Sequence, residues 1–122
     1  MDDRPAELKR RTKQFALNVL KFLATQPYTE DSRSLRQQLI SSATSVGANY
    51  RAACRSRSRA EFIARVGVTL EEADESAFWL EILIESRSVV ERPAAELLRE
   101  ADELTAIFAA SAITARANAA KT

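Results

Sequence analysis

Residues Ser42 to Glu85 read SATSVGANYRAACRSRSRAEFIARVGVTLEEADESAFWLEILIE, and their spacing decides the fold. Ile63, Val66, Leu70, Ala73, Ala77, Leu80 and Ile84 recur at intervals of 3, 4, 3, 4, 3 and 4. This is an a/d seam, the pattern that packs helices nearly antiparallel in a bundle. Upstream, Leu35, Leu39, Ala43, Val46, Tyr50 and Ala53 line one side of a preceding helix. Between the two stands Ser58-Arg59-Ala60-Glu61, a capping box in which the serine hydroxyl and the glutamate satisfy free amides at a helix start.

The same reading extends outward. Pro5 and Pro27 bracket a first helix over about 6–26, with Leu8, Phe15, Val19, Phe22 and Leu23 inward. The second and third helices are expected over about 32–55 and 58–86. Pro93 opens a fourth, over about 93–115, with Leu97, Ala101, Leu104, Phe108 and Ser111 on its seam. The alanine-rich tail from Ala109 has little to bury and is expected to fray. Short connections make sequence neighbours antiparallel, so the expected fold is all-α, one up-down-up-down four-helix bundle spanning residues 1–122.

Composition agrees. A chain of 122 residues with two Gly, three Pro and 46% apolar residues suits a single helical domain and argues against a sandwich or barrel. The lone Cys54 cannot form an internal disulfide, and the opening MDDRPAELKRR has no apolar core of a signal peptide. No apolar run reaches the ~20 residues needed to span a bilayer. A cytoplasmic protein with no membrane role is expected.

Catalytic chemistry is hard to find. Di-iron bundles need Glu-x-x-His pairs, and the chain has no histidine. Glu71, Glu72, Asp74, Glu75, Glu81 and Glu85 are then a solvated or ion-paired face, and Cys54 has no histidine base beside it. No glycine-rich phosphate loop occurs. The expectation is a non-enzyme with no metal and no cofactor. Ser42 and Asn49 on the second helix, and Asp74 and Glu81 on the third, are read as interhelical hydrogen bonds that fix register.

Two features point to partners. Val68, Phe78, Trp79, Ile82 and Leu83 fall outside the seam of the third helix, which carries more apolar surface than one bundle contact needs. They are the expected interface of a homo-oligomer. The formal charge of +1 also hides a split. Residues 1–60 hold twelve Lys and Arg against five Asp and Glu, whereas the remainder holds six against twelve. Up-down topology gathers Lys9, Arg10, Arg11, Lys13, Arg51, Arg55, Arg57 and Arg59 at one pole. That pole is the expected nucleic-acid-binding surface, contacting RNA or DNA phosphate without sequence readout.

Ser45-Val46-Gly47-Ala48-Asn49-Tyr50-Arg51-Ala52-Ala53, then Ser58-Arg59-Ala60-Glu61-Phe62, then Glu71-Glu72-Ala73-Asp74-Glu75-Ser76 with Phe78-Trp79-Leu80, resemble the bacterial four helix bundle protein family. This is also called the 23S rRNA intervening-sequence protein family. The resemblance implies an up-down bundle assembling into a cyclic homopentamer. A related branch, the accessory proteins of diversity-generating retroelements, is similar in fold and implies nucleic-acid binding through a basic barrel. The near-neutral charge here departs from that branch. Two readings therefore stay open. One is a ring-forming protein with a basic pole that binds RNA or DNA. The other is a purely structural oligomer, or one that binds an unidentified protein, with no nucleic-acid role.

Overall fold

The computed structural model describes residues 3–121. Four helices account for most of them: α1 (Arg4–Ala24), α2 (Arg33–Cys54), α3 (Arg59–Glu85) and α4 (Glu91–Ala120). Each end has a local cause. Pro5 sits in the first turn of α1, where its missing N–H costs nothing. Before α2, the Thr29 hydroxyl accepts from the Ser32 amide at 3.1 Å, and Ser32 Oγ donates to the Thr29 carbonyl at 3.0 Å. Ser58 caps α3 by accepting from the Glu61 amide at 3.1 Å, while the Glu61 carboxylate accepts from the Arg57 amide. The capping box thus closes one residue earlier than its usual form. α3 ends in a Schellman turn. Arg87 takes a left-handed φ of 59°, the Ser88 amide donates to the Leu83 carbonyl, and the Arg87 amide donates to that of Ile84.

Each helix packs against two others, in the cyclic order α1, α2, α3, α4. Diagonal helices meet through core side chains, as where the Tyr50 and Phe108 rings lie 5.2 Å apart. Specific contacts give the directions. Arg36, near the start of α2, donates to the Leu23 carbonyl near the end of α1, and Gly47, further along α2, lies against Thr12. Arg59, opening α3, donates to the Asn118 carbonyl near the end of α4. The Val90 amide, just before α4, donates to Gln26 just after α1.

The core is built from Phe15, Val19, Leu39, Val46, Leu80, Leu104 and Phe108 among others, all essentially inaccessible. Two expectations needed correction. The buried residues of α3 are Val66, Thr69, Ala73, Ser76, Ala77, Leu80 and Leu83, so Val66, Ala73, Ala77 and Leu80 of the seam read in sequence face inward, but the helix is rotated so that Thr69, Ser76 and Leu83 join them and Ile63, Leu70 and Ile84 sit at the margin. Nor does α4 fray after Ala109. It continues to Ala120, with Ala112 packed on Ala53 and Val66 beside Phe62.

Register is held differently as well. Ser76 Oγ lies 3.1 Å from Ser42 Oγ, an interhelical bond deep in the core. Asn49 instead turns its amide onto the Ser45 carbonyl of its own helix, and Asp74 and Glu81 are exposed.

Candidate functional site

At the end of the bundle where α1 begins and α2 finishes, Lys9, Arg10, Lys13, Arg51 and Arg55 surround a shallow depression of about 320 Å3. All five are exposed, and none makes an ion pair among the described residues. The clustering follows from antiparallel packing. One turn of α1 supplies Lys9, Arg10 and Lys13, and the last turn of α2 and its cap supply Arg51 and Arg55. α2 itself contains no acidic residue that could neutralise them. Arg57 continues the patch, sharing an adjoining depression with Arg55, Glu61 and Arg65.

The structure divides the eight expected cations. Arg11 is turned away from the cluster onto α4, where its Nε and Nη2 donate to Glu100 at 2.7 Å each and Nη2 also reaches Glu103 at 2.6 Å. These carboxylates hold the guanidinium proton more firmly than in a free arginine, with the Glu100 hydrogen bond the largest cause. Arg59 spends one donor on the Asn118 carbonyl. The phosphate-competent set is therefore Lys9, Arg10, Lys13, Arg51 and Arg55, with Arg57 beside it.

The outer face of α3 divides too. Phe78 and Val68 are 50% and 41% exposed. Trp79 stacks edge-on against Phe78 at 5.0 Å and is half-buried, as is Ile82. Leu83 is wholly buried in the bundle core and leaves the expected interface, because the rotation of α3 places it on the inner row. A second apolar surface was missed. Leu17 and Leu20 of α1 are 39% and 41% exposed. Their positions off the Phe15, Val19, Phe22 face carried the signal.

No cluster of His, Cys, Asp or Glu suited to a metal occurs among the described residues, and no helix there is long and apolar enough to cross a membrane. On α3, burial, with Glu75 and Glu71 nearby, pushes the Glu72 carboxyl up from its usual range. At the start of that helix, the Arg57 amide and then Arg65 hold Glu61 below it.

Four helices packed in cyclic order, with five exposed cations gathered at one end, define an all-helical bundle protein. Residues 5–110 match the 23S rRNA-intervening sequence protein family, and the chain belongs to it. Among solved structures it is similar to a protein of unknown function from the S23 ribosomal protein family of Bacteroides thetaiotaomicron. The TM-score is 0.74 at 28% identity, over 85% of this chain and 96% of that one. No curated protein matches.

Proposed function

We propose that this protein is a non-enzymatic, self-associating bundle whose basic end binds RNA or DNA through phosphate. The observation that carries this is the set of five unpaired cations around one depression. Cations merely balancing acidic helices would be paired across the bundle, as Arg11 is with Glu100 and Glu103, yet Lys9, Arg10, Lys13, Arg51 and Arg55 make no such pair among the described residues. Five such groups displace condensed counterions when they meet a polyanion, which favours binding at low salt. Their side chains offer charge and few ring faces, so sequence readout is not part of the reading. Self-association rests on exposed Phe78 and Val68, and the family resemblance implies a ring of five. Ring symmetry would repeat the basic end around one axis and raise its local potential.

The test is a titration of single-stranded RNA at several salt concentrations. Five phosphate contacts give an affinity loss of about a hundredfold between about 50 and 200 mM salt. Replacing Lys9, Arg10 and Arg55 by glutamine lowers the slope of log K against log salt by about two. Absence of wild-type binding at about 50 mM salt, or an unchanged slope in the variant, refutes the reading and leaves the structural oligomer.

A further inference from the structure

Another opening lies at the same end of the bundle as the basic depression, where α1 meets α4 and not α2. It is a pocket of about 530 Å3 bounded by the start of α1, the start of α3 and the later turns of α4. Leu8, the buried ring of Tyr50, half-buried Phe62 and Ile107 give it apolar walls. Along α4, Ile107, Ser111, Thr114 and Asn118 follow one stripe at intervals of 4, 3 and 4. That wall therefore passes from apolar to hydrogen-bonding as it nears the helix end. Arg4 and Arg59 line the pocket too, and no carboxylate does so among the described residues. The wider groove between α1 and α4 differs, with Glu7, Glu96 and Glu100 along it to repel a polyanion.

From this we infer that the pocket receives an unpaired base of the RNA or DNA strand whose phosphates the basic end holds. The inference rests on the nucleic-acid binding proposed above and names the part of the strand that the protein takes up. A base is apolar on its flat faces and polar along its edge, and its backbone is anionic. The pocket answers each property. Phe62 and Tyr50 supply ring surface beside the aliphatic Leu8 and Ile107. Ser111 Oγ donates to the Ile107 carbonyl at 3.0 Å, which leaves the oxygen as an acceptor for a base amino group. The Asn118 side-chain amide both donates and accepts. Arg59 spends one donor on the Asn118 carbonyl at 2.8 Å and keeps others for phosphate.

Size and place support the same assignment. Pockets that enclose small molecules span roughly 300–1,000 Å3, and this one falls within that range. The basic depression is lined by cations alone and so offers a strand charge without an apolar wall. Sequence neighbours tie the two openings together. Leu8 and Tyr50 line the pocket, while Lys9 and Arg51, the next residue after each, line the depression. The body of α1, about 10 Å across, stands between them, a span that a short stretch of single strand bridges. A duplex keeps its bases stacked and paired, so only a single strand can occupy both openings. Since every base has a flat face, the pocket selects unpaired bases and not a sequence.

Fluorescence anisotropy at about 50 mM salt tests this with two labelled strands of equal length. One is single-stranded RNA, and the other is the same backbone made abasic, which keeps every phosphate and has no base. The wild type is expected to bind the base-bearing strand about tenfold more tightly, with the same dependence on salt for both. A variant carrying Ala110→Leu and Thr114→Leu narrows the pocket without adding a ring or a charge. Both positions are exposed, and circular dichroism checks that the helices are kept. This variant is expected to bind the two strands equally, at the affinity of the wild type for the abasic one. Equal binding of the two strands by the wild type overturns the inference and leaves phosphate binding standing. So does a preference for bases that survives in the variant. Absence of binding to either strand overturns the proposed function as well.

Discussion

Replacing Gly67 by alanine raises the stability of the bundle by about 1 kcal/mol, and the same change at Gly47 does not. Both glycines lie inside helices, so each change has the same intrinsic gain from lower backbone entropy in the unfolded chain. Their surroundings differ. A Cβ at Gly67 meets nothing within 4 Å. A Cβ at Gly47 lies 3.3 Å from Thr12 Oγ1 and 3.5 Å from the Thr12 carbonyl carbon. The hydroxyl cannot swing aside freely, because it donates to the Leu8 carbonyl at 2.8 Å. α1 must therefore move by a few tenths of an ångström, and overpacking of this kind costs about 1 kcal/mol or more, which cancels the gain. Urea unfolding followed by far-UV circular dichroism, at one fixed protein concentration, measures both. Gly67→Ala is expected to raise Tm by about 3–5 °C for a chain of this size. Gly47→Ala regains its benefit when Thr12→Ala is added. Equal stabilisation at the two glycines would refute the close approach of α1 to α2.

Two further outcomes follow from the core and the acidic helix. Asn49→Leu is expected to leave the fold intact with equal or greater stability, since Asn49 bonds only its own helix, whereas Ser42→Leu overpacks a buried site and costs about 1–3 kcal/mol in the same unfolding assay. Glu72→Gln is expected to stabilise at neutral pH and to lose that advantage on acidification. Because burial raises the folded carboxyl above its unfolded value, its charge opposes folding once pH rises through the normal carboxylate range, and below that range both states are protonated. Thermal melts of both proteins from pH 3 to 8 check it; a constant difference would show that the carboxyl titrates normally.

The helices and most of their inner faces were legible because apolar spacing, prolines and the Ser58 cap agree with one another. The rotation of α3 was not, for a specific reason. Thr69 and Ser76 made the true inner row look polar, yet each hydroxyl donates to a carbonyl of its own helix, to Arg65 and Glu72 at 2.9 Å, and so enters the core satisfied. A helix apolar on several sides then offered Leu70 and Ile84 as equally plausible inward residues. The tail of α4 was misread because Ala112 and Ala115 have little to bury singly, whereas close approach to Ala53 favours small side chains. At the basic end, Lys9, Arg10, Arg11 and Lys13 look alike in sequence. Helix rotation alone sends Arg11 to α4, and its partner Glu100 lies 89 positions away, beyond any local pattern.

That separation bears on how the chain is made. α1 packs less closely against α4 than any other adjacent pair of helices does, and it is fastened there by Arg11 and, just beyond its end, by Gln26. Synthesis delivers α1 first, but the carboxylates that clamp it, Glu100 and Glu103, emerge only after α4 has begun. Until then Phe15, Val19 and Phe22 have α2 as a nearby partner and no α4 to cover their other side. The first helix translated is thus the last to be locked in place. On polysomes, where many copies emerge side by side, a waiting α1 that met a neighbour's α4 would exchange between chains, the misassembly expected where a contact closes late.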